Sequence, residues 1–149
     1  MVFTMFQVSI GTPALSAFRL EKLRVLMSDA VPGVTLADTR HCYFSVLRGV
    51  TLSKAQARLL GKVLGLGKAA GEPVDAEKYQ RLLVVPRLGT ISPWSTKATD
   101  IARHCGLSGV RRIERGVVYY LSNSNGKELN KAGMAAVLPL LHDRMTESV

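Results

Sequence analysis

The sequence predicts an α+β fold in which two similar βαβα-type halves place their helices on an antiparallel or mixed sheet. Runs rich in β-branched and aromatic residues alternate along the chain with segments whose apolar residues recur at helical spacing. This alternation occurs twice, since "GTPALSAF" aligns with "GTISPWST" and aromatic pairs at positions 43–44 and 119–120 fall at nearly the same offset. The 149 residues, 47% of them hydrophobic, suffice for one ordinary core. We therefore expect a single domain over residues 1–149, built from a duplicated unit.

The first half is expected to cover about residues 1–70 and to begin with a strand, a helix and a second strand. "FTMFQVSIG" and "VTLADTRHCYFSVLRG" favour strands because β-branched and aromatic residues dominate them. "SAFRLEKLRVLMSDA" favours a helix with one apolar stripe facing the core. The residues predicted to form this stripe are Phe18, Leu20, Leu23, Leu26 and Met27.

The second helix, "KAQARLLGKVLGL", follows Thr51 and Ser53, either of which can serve as its N-cap. After it, "GKAAGEPVDAEKY" is rich in glycine, proline and charge. This composition predicts a linker to the second half, which is expected over about residues 79–149.

The second half repeats the same order of elements. "RLLVVPRLG" predicts a buried strand, a helix is expected from about Ser95 to Cys105, and "VRRIERGVVYYLS" predicts another strand. The last helix lies in "KELNKAGMAAVLPLLHDRMTES", where Pro139 is expected to kink or divide it.

The charge balance favours anionic partners. A formal net charge of +9 suits nucleic acid, phosphorylated metabolites or the acidic face of another protein domain, and charge alone does not choose among them. The chain has no apolar run of the length that a membrane span needs, and its opening lacks the features of a signal peptide. A cytoplasmic protein without a membrane partner is therefore expected.

The two cysteines, Cys42 and Cys105, are expected to be free thiols, because their spacing matches neither a disulfide framework nor a metal site. His104 precedes Cys105, but neighbours in a helix point about 100° apart. A buried, structural Cys105 is therefore favoured over a catalytic thiol.

The stretch "GTISPWSTKATDIARHCGLSG" carries two competing interpretations, and the first is a DNA-reading module. A helix that ends in Gly-Leu-Ser before an arginine-bearing segment resembles the turn of a helix-turn-helix. A recognition helix should follow that turn. The residues that do follow, "GVRRIERGVVYYLS", contain an interrupting Gly116 and a run that favours a strand. DNA reading is therefore disfavoured.

The second interpretation is an anion site at the start of the helix. Ser92, Ser95, Thr96 and Lys97 would surround free backbone N–H groups there. Plain capping of the helix by Ser92 or Ser95, with a solvated Lys97, is the favoured interpretation. Trp94 is open to two roles, core packing or docking to a partner surface.

Three arginines on the following predicted strand, Arg111, Arg112 and Arg115, do not all share one face. They suit an ion-paired or phosphate-facing rim better than a row that reads bases. Glu114 is expected to pair with one of them.

Four motifs carry a resemblance to a known family: "PALSAFRLEKL", "GTISPWSTKATDIARHCGL", "RRIERGVVYY" and "LHDRMTESV". In this order they resemble the N-terminal domain of the large type of phosphoribosylformylglycinamidine synthase, also called formylglycinamide ribonucleotide amidotransferase. The resemblance spans nearly the whole chain. This sequence departs from the family pattern at Leu88, where the family usually has proline, and at Thr96, which replaces a second serine.

The resemblance implies that the parent chain is an ATP- and magnesium-dependent ligase of purine biosynthesis. That enzyme converts formylglycinamide ribonucleotide to the amidine with ammonia released from glutamine. The present 149 residues would be its non-catalytic N-terminal domain, without catalytic residues, metal or cofactor of its own. Family members fold here as a pseudo-dimer of a small synthase subunit, which agrees with the duplication inferred from the residues.

The expected partners are the synthetase and glutaminase domains of the same parent chain, between which this domain would support ammonia transfer. We hypothesise that one surface faces the synthetase domain or its phosphorylated substrate. Its residues are Arg87, Gly89, Thr90, Ser92, Trp94, Ser95 and Lys97. The alternative is a standalone basic module that binds nucleic acid.

Overall fold

The computed structural model describes residues 4–48, 51–67, 70–73, 76–87, 90–143 and 146–149. Four long strands and four helices alternate along the chain, and a two-residue strand ends it. In chain order, the elements are β1 (Thr4–Pro13), α1 (Ala17–Ala30), β2 (Val34–Arg48), α2 (Lys54–Val63), β3 (Gln80–Pro86), α3 (Pro93–His104), β4 (Val110–Asn123), α4 (Lys131–Leu141) and β5 (Glu147–Ser148).

The strands form one sheet in the order β1-β2-β4-β3-β5, and every described neighbour pair is antiparallel. The long central ladder joins β2 to β4. This arrangement confirms the predicted α+β class and resolves the choice between an antiparallel and a mixed sheet.

All four helices lie on one face of the sheet. One buried cluster joins Met27 of α1 and Val137 of α4 to Tyr119 of β4. A second cluster joins Leu60 of α2 and Ala102 of α3 to Ile113 of the same strand. Because residues 113 and 119 are separated by an even number of positions, they point to the same face of β4. Among the described residues, the opposite face carries only a short 3-10 helix, Ala76–Lys78, and we call it the open face.

The predicted repetition of elements is present, and the two halves interlock. Helix α3 begins 76 residues after α1, at 93 and 17, and β4 begins 76 residues after β2, at 110 and 34. The central ladder pairs His41 with Val117, which are also 76 positions apart. Each half contributes one helix to each buried cluster, since α1 packs against α4 and α2 against α3. Neither half therefore has a core of its own, whereas the origin of the halves as a pseudo-dimer stays a prediction.

Helix starts follow the capping chemistry of the sequence. Ser53 caps α2 in a reciprocal capping box with Gln56, as one of the two predicted N-caps. Ser92 caps α3, so that helix begins two residues before the predicted start at Ser95. Helix α4 continues past Pro139 for two residues, so the predicted division of this helix is wrong, whereas the alternative of a kink stays a prediction.

The predicted apolar stripe of α1 is partly wrong. Met27 is fully buried, and Leu20 and Leu23 pack on the first cluster. Phe18 is 79% exposed and Leu26 is 45% exposed. The helix is apolar on two sides, so its periodicity did not distinguish the side that the sheet covers.

Both cysteines are free, as predicted, but their burial differs from the expectation. Cys42 is buried on the open face, whereas Cys105 is exposed at the end of α3. The predicted burial of Cys105 is therefore wrong.

Candidate functional site

At the start of α3, a side chain of the domain itself accepts a hydrogen bond from a free backbone N–H group. The Ser92 hydroxyl accepts a hydrogen bond from the Ser95 backbone N–H at 3.0 Å and donates one to Glu114 Oε1 at 2.8 Å. The Glu114 carboxylate is therefore already placed beside the positive end of the helix dipole. An added phosphate would meet this negative charge, so the geometry favours capping over an anion site.

Ser95 and Thr99, one helical turn apart, tie α3 to β4. The Ser95 hydroxyl donates to the backbone carbonyl of Ile113, and the Thr99 hydroxyl accepts from the backbone N–H of Ile113 at 3.1 Å. The described pairing of β3 with β4 ends at Val117, so Ile113 lies where β4 extends past its neighbour. The two hydroxyls replace the missing strand as hydrogen-bond partners.

Trp94 has a packed environment. Its ring centroid lies 5.7 Å from that of Tyr43, and the Arg115 guanidinium carbon lies 4.7 Å from the centroid of the indole. Trp94 is half-buried against the cluster of α2 and α3. Core packing is thus the role that the contacts support, and the Arg115 guanidinium over the ring adds a cation–π contact.

Of the remaining hypothesised residues, three are exposed. The Arg87 backbone N–H donates to the Thr146 carbonyl at 2.8 Å, while the Thr90 hydroxyl donates to the Arg87 carbonyl. The side chains of Arg87 and Lys97 form no ion pair with any residue that the structure describes. Gly89, like Leu88, lies outside the described residues.

Two residues that the sequence hypothesis did not include, Arg112 and Glu114, bond to residues of the hypothesised surface. Arg112 donates to the Thr90 carbonyl at 3.2 Å and pairs with Glu114 at 3.0 Å, which confirms the predicted ion pair. The alternation of side chains along β2 places Tyr43 on the helix-covered face. The contact between the Tyr43 and Trp94 rings depends in addition on how α3 packs, and local sequence patterns do not show helix packing.

The helix-turn-helix interpretation is wrong. The residues after the turn at Gly106 belong to β4, where a recognition helix would be required. Across the described ranges, no cluster of three or more His, Cys, Asp and Glu side chains is suited to a metal ion. None of the described helices is long and apolar enough to cross a membrane.

His41 lies at the centre of the helix-covered face, with its ring 6.1 Å from that of Tyr43. Burial, and secondly the nearby Arg115 guanidinium, lower the pKa of His41 below its usual value of 6.5. Its buried Nδ1 has no hydrogen-bond partner. The neutral ring is therefore the form that the fold favours.

The lowered pKa of His41 predicts a loss of stability in mild acid. Below the unfolded-state pKa, near 6.5, the unfolded chain binds the proton more readily than the folded chain. The free energy of unfolding should therefore fall between about pH 7 and about pH 5 more steeply for the wild type than for His41→Gln. Urea titrations at both pH values measure this difference.

The matched control for this experiment is His104→Gln, a change at an exposed histidine on α3. It should keep the wild-type pH dependence. Equal pH dependence in the wild type and in His41→Gln would contradict the prediction.

One family model matches this chain, over residues 40–149. Its description is formylglycinamide ribonucleotide amidotransferase, N-terminal. The match includes β2 from residue 40 onwards, strands β3, β4 and β5, and α3 with the residues that form its start. It agrees with the resemblance carried by the sequence motifs. The chain therefore belongs to the formylglycinamide ribonucleotide amidotransferase N-terminal family, a family of purine biosynthesis.

Proposed function

We propose that this chain is the non-catalytic N-terminal docking domain of a formylglycinamide ribonucleotide amidotransferase. The parent enzyme is a cytoplasmic ligase that uses ATP, magnesium and glutamine to form the amidine from formylglycinamide ribonucleotide. Its synthetase and glutaminase domains are the partners of this domain, which supports their interface and the passage of ammonia between them. The family match over residues 40–149 is the observation that carries this proposal.

The segment before and within the start of α3 supplies a surface suited to docking. Ile91 is 64% exposed, and exposed basic side chains at Arg87 and Lys97 occur on either side of it in sequence. Arginine is among the residues that are enriched in protein interfaces. The formal net charge of +9 favours an acidic face on the partner.

Within the hypothesised surface, the contacts divide the residues into two groups. The hydroxyls of Ser92 and Ser95 form hydrogen bonds within the domain, and Trp94 packs on Tyr43. These side chains shape the surface and keep α3 in place. Arg87 and Lys97 are exposed, so they are the residues that a partner domain can contact directly.

A charge reversal tests the proposal without removing a packed side chain. In the parent enzyme, Arg87→Glu combined with Lys97→Glu should lower the glutamine-dependent rate about tenfold or more, since like charges facing each other across an interface cost several kcal/mol. The rate with free ammonia should be retained, because external ammonia does not need the route from the glutaminase. Both rates are measured as kcat at saturating nucleotide.

Lys22→Glu provides the matched control, because it reverses the charge of an exposed side chain on α1. It should leave both rates unchanged. The docking role would be wrong if the double variant kept its full glutamine-dependent rate.

A further inference from the structure

The chain itself covers one part of the open face. Between α2 and β3, Gly71 donates a backbone hydrogen bond to the Gly11 carbonyl of β1 at 3.3 Å. The chain then places Ala76, which is only 7% exposed, and Tyr79 against the sheet. Beneath them, Tyr120 is fully buried. This segment shows that the open face accepts a short 3-10 helix and the residue that follows it, which present a small and an aromatic side chain.

A second part of the same face is uncovered. A groove of about 320 Å³ lies there; its apolar lining comes from β1, β2 and β3, and β4 contributes Arg112 and Glu114. We call it the open groove and define it by Phe6, Phe44, Val46, Leu83 and Val85. Phe6 is 69% exposed, and Val8, next along the same face of β1, is 58% exposed. Contiguous exposed apolar side chains of this kind mark an interaction surface.

The covered part and the uncovered part of the open face lie at equivalent positions of the two repeated halves. Tyr120, which lies under the connecting segment, and Phe44, which lines the open groove, are 76 positions apart, like the other equivalent positions of the two halves. The open groove is thus the counterpart, in the repeated unit, of the surface that the chain after α2 covers.

The segments that follow α2 and α4, the second helix of each half, both form backbone hydrogen bonds to the first strand of their own half. After α2 the chain bonds to β1 through Gly71, and after α4 it bonds to the end of β3, where Arg87 donates to the Thr146 carbonyl and β5 pairs with Val85 and Pro86. In the first half, the chain continues from this contact across the open face, where Ala76 and Tyr79 pack. A chain that continued in the equivalent direction from the contact in the second half would cross the open groove.

We propose that the open groove binds a segment of the parent polypeptide that lies beyond residue 149, as the equivalent of the segment that covers Tyr120. This inference rests on the proposed function, which places the domain in a longer chain. The segment directs apolar side chains towards Phe44, as Ala76 and Tyr79 do towards Tyr120. A carboxylate near one end would meet the exposed guanidinium of Arg87, which lines the groove.

Thiol labelling tests whether the groove is occupied. In a Cys105→Ser background, which removes the exposed natural thiol, Val8→Cys reports on the open groove. The covering segment of the first half runs from Gly71 to Tyr79, so an extension of about twenty residues of the parent chain suffices. Modification of Val8→Cys by a maleimide should be at least about tenfold slower in the extended chain than in the 149-residue chain, as expected when about nine molecules in ten are occupied.

Val25→Cys is the matched control, because Val25 is 53% exposed on the outer side of α1 and Val8 is 58% exposed. Its modification should be equally fast in both chains. In the extended chain, Phe6→Lys should restore fast modification of Val8→Cys, since a charge within the apolar groove opposes binding.

Each other outcome overturns the inference. Equal rates at Val8→Cys in the two chains would show that the segment does not occupy the groove. Protection that disappears on dilution would assign the groove to a second copy of the chain. A native polypeptide that ends at residue 149 would instead remove the proposed function, and intact mass distinguishes that result from the others.

Discussion

Replacing Gly116 by alanine should destabilise the domain by about 1–3 kcal/mol, because the added methyl group has no space. Gly116 lies in β4, the strand that pairs with both β2 and β3. A Cβ atom there would be 2.7 Å from the backbone oxygen of Val84 and 3.0 Å from a methyl carbon of Val85. The nearest atom belongs to the backbone of β3, so the strand itself has to move. Urea denaturation of both proteins measures the difference in free energy of unfolding.

Gly61→Ala is the matched control for this change. Gly61 lies within α2, and no atom would lie within 4 Å of its added Cβ. The same substitution should therefore raise stability there by about 0.5–1 kcal/mol, because alanine loses less conformational freedom than glycine in a helix. A Gly116→Ala protein as stable as the wild type would show that β3 does not approach β4 this closely.

Thr99→Val should destabilise the domain by about 1–3 kcal/mol, because it leaves a buried backbone donor without a partner. The Thr99 hydroxyl accepts the N–H of Ile113, a residue that is fully buried. Valine has nearly the same shape but no acceptor. The free energy of unfolding should fall without a change in the far-ultraviolet circular dichroism spectrum, and Thr99→Ser, which keeps the hydroxyl, should recover most of the loss.

Thr96→Val makes the same chemical change on the exposed side of the same helix. It should shift stability by no more than about 0.5 kcal/mol. Equal effects at positions 96 and 99 would mean that valine acts through helix propensity, and the link between α3 and β4 would then be unimportant for stability.

Most of the element order could be predicted from the sequence, since periodicity and capping are local. Ser53 and the alternation along "VRRIERGVVYYLS" are examples, and the structure places a helix and a strand at these positions. Helix α1 shows the limit of this reasoning, because both of its sides are apolar and only the sheet distinguishes them. The burial of Cys105 could not be predicted from the sequence, because it depends on which distant residues pack against the end of α3.

The candidate site was predictable in part. The sequence led to the capping alternative at Ser92 and to an ion pair for Glu114, which the structure joins in one network with Arg112. The contact of Trp94 with Tyr43 was not predictable, because the two residues are far apart in sequence. Such contacts depend on strand order and helix packing.

The sequence by itself determined the repeated order of strands and helices, the candidate caps of α2 and α3, and the family of the chain. These features depend on side chains a few positions apart, or on motifs read directly from the residues. Only the tertiary structure decided that each buried cluster combines one helix from each half, that α3 replaces a missing strand at Ile113, and that the face around Phe44 is uncovered. Each of these results depends on which distant segments meet, and the register of the central β2·β4 ladder sets that geometry.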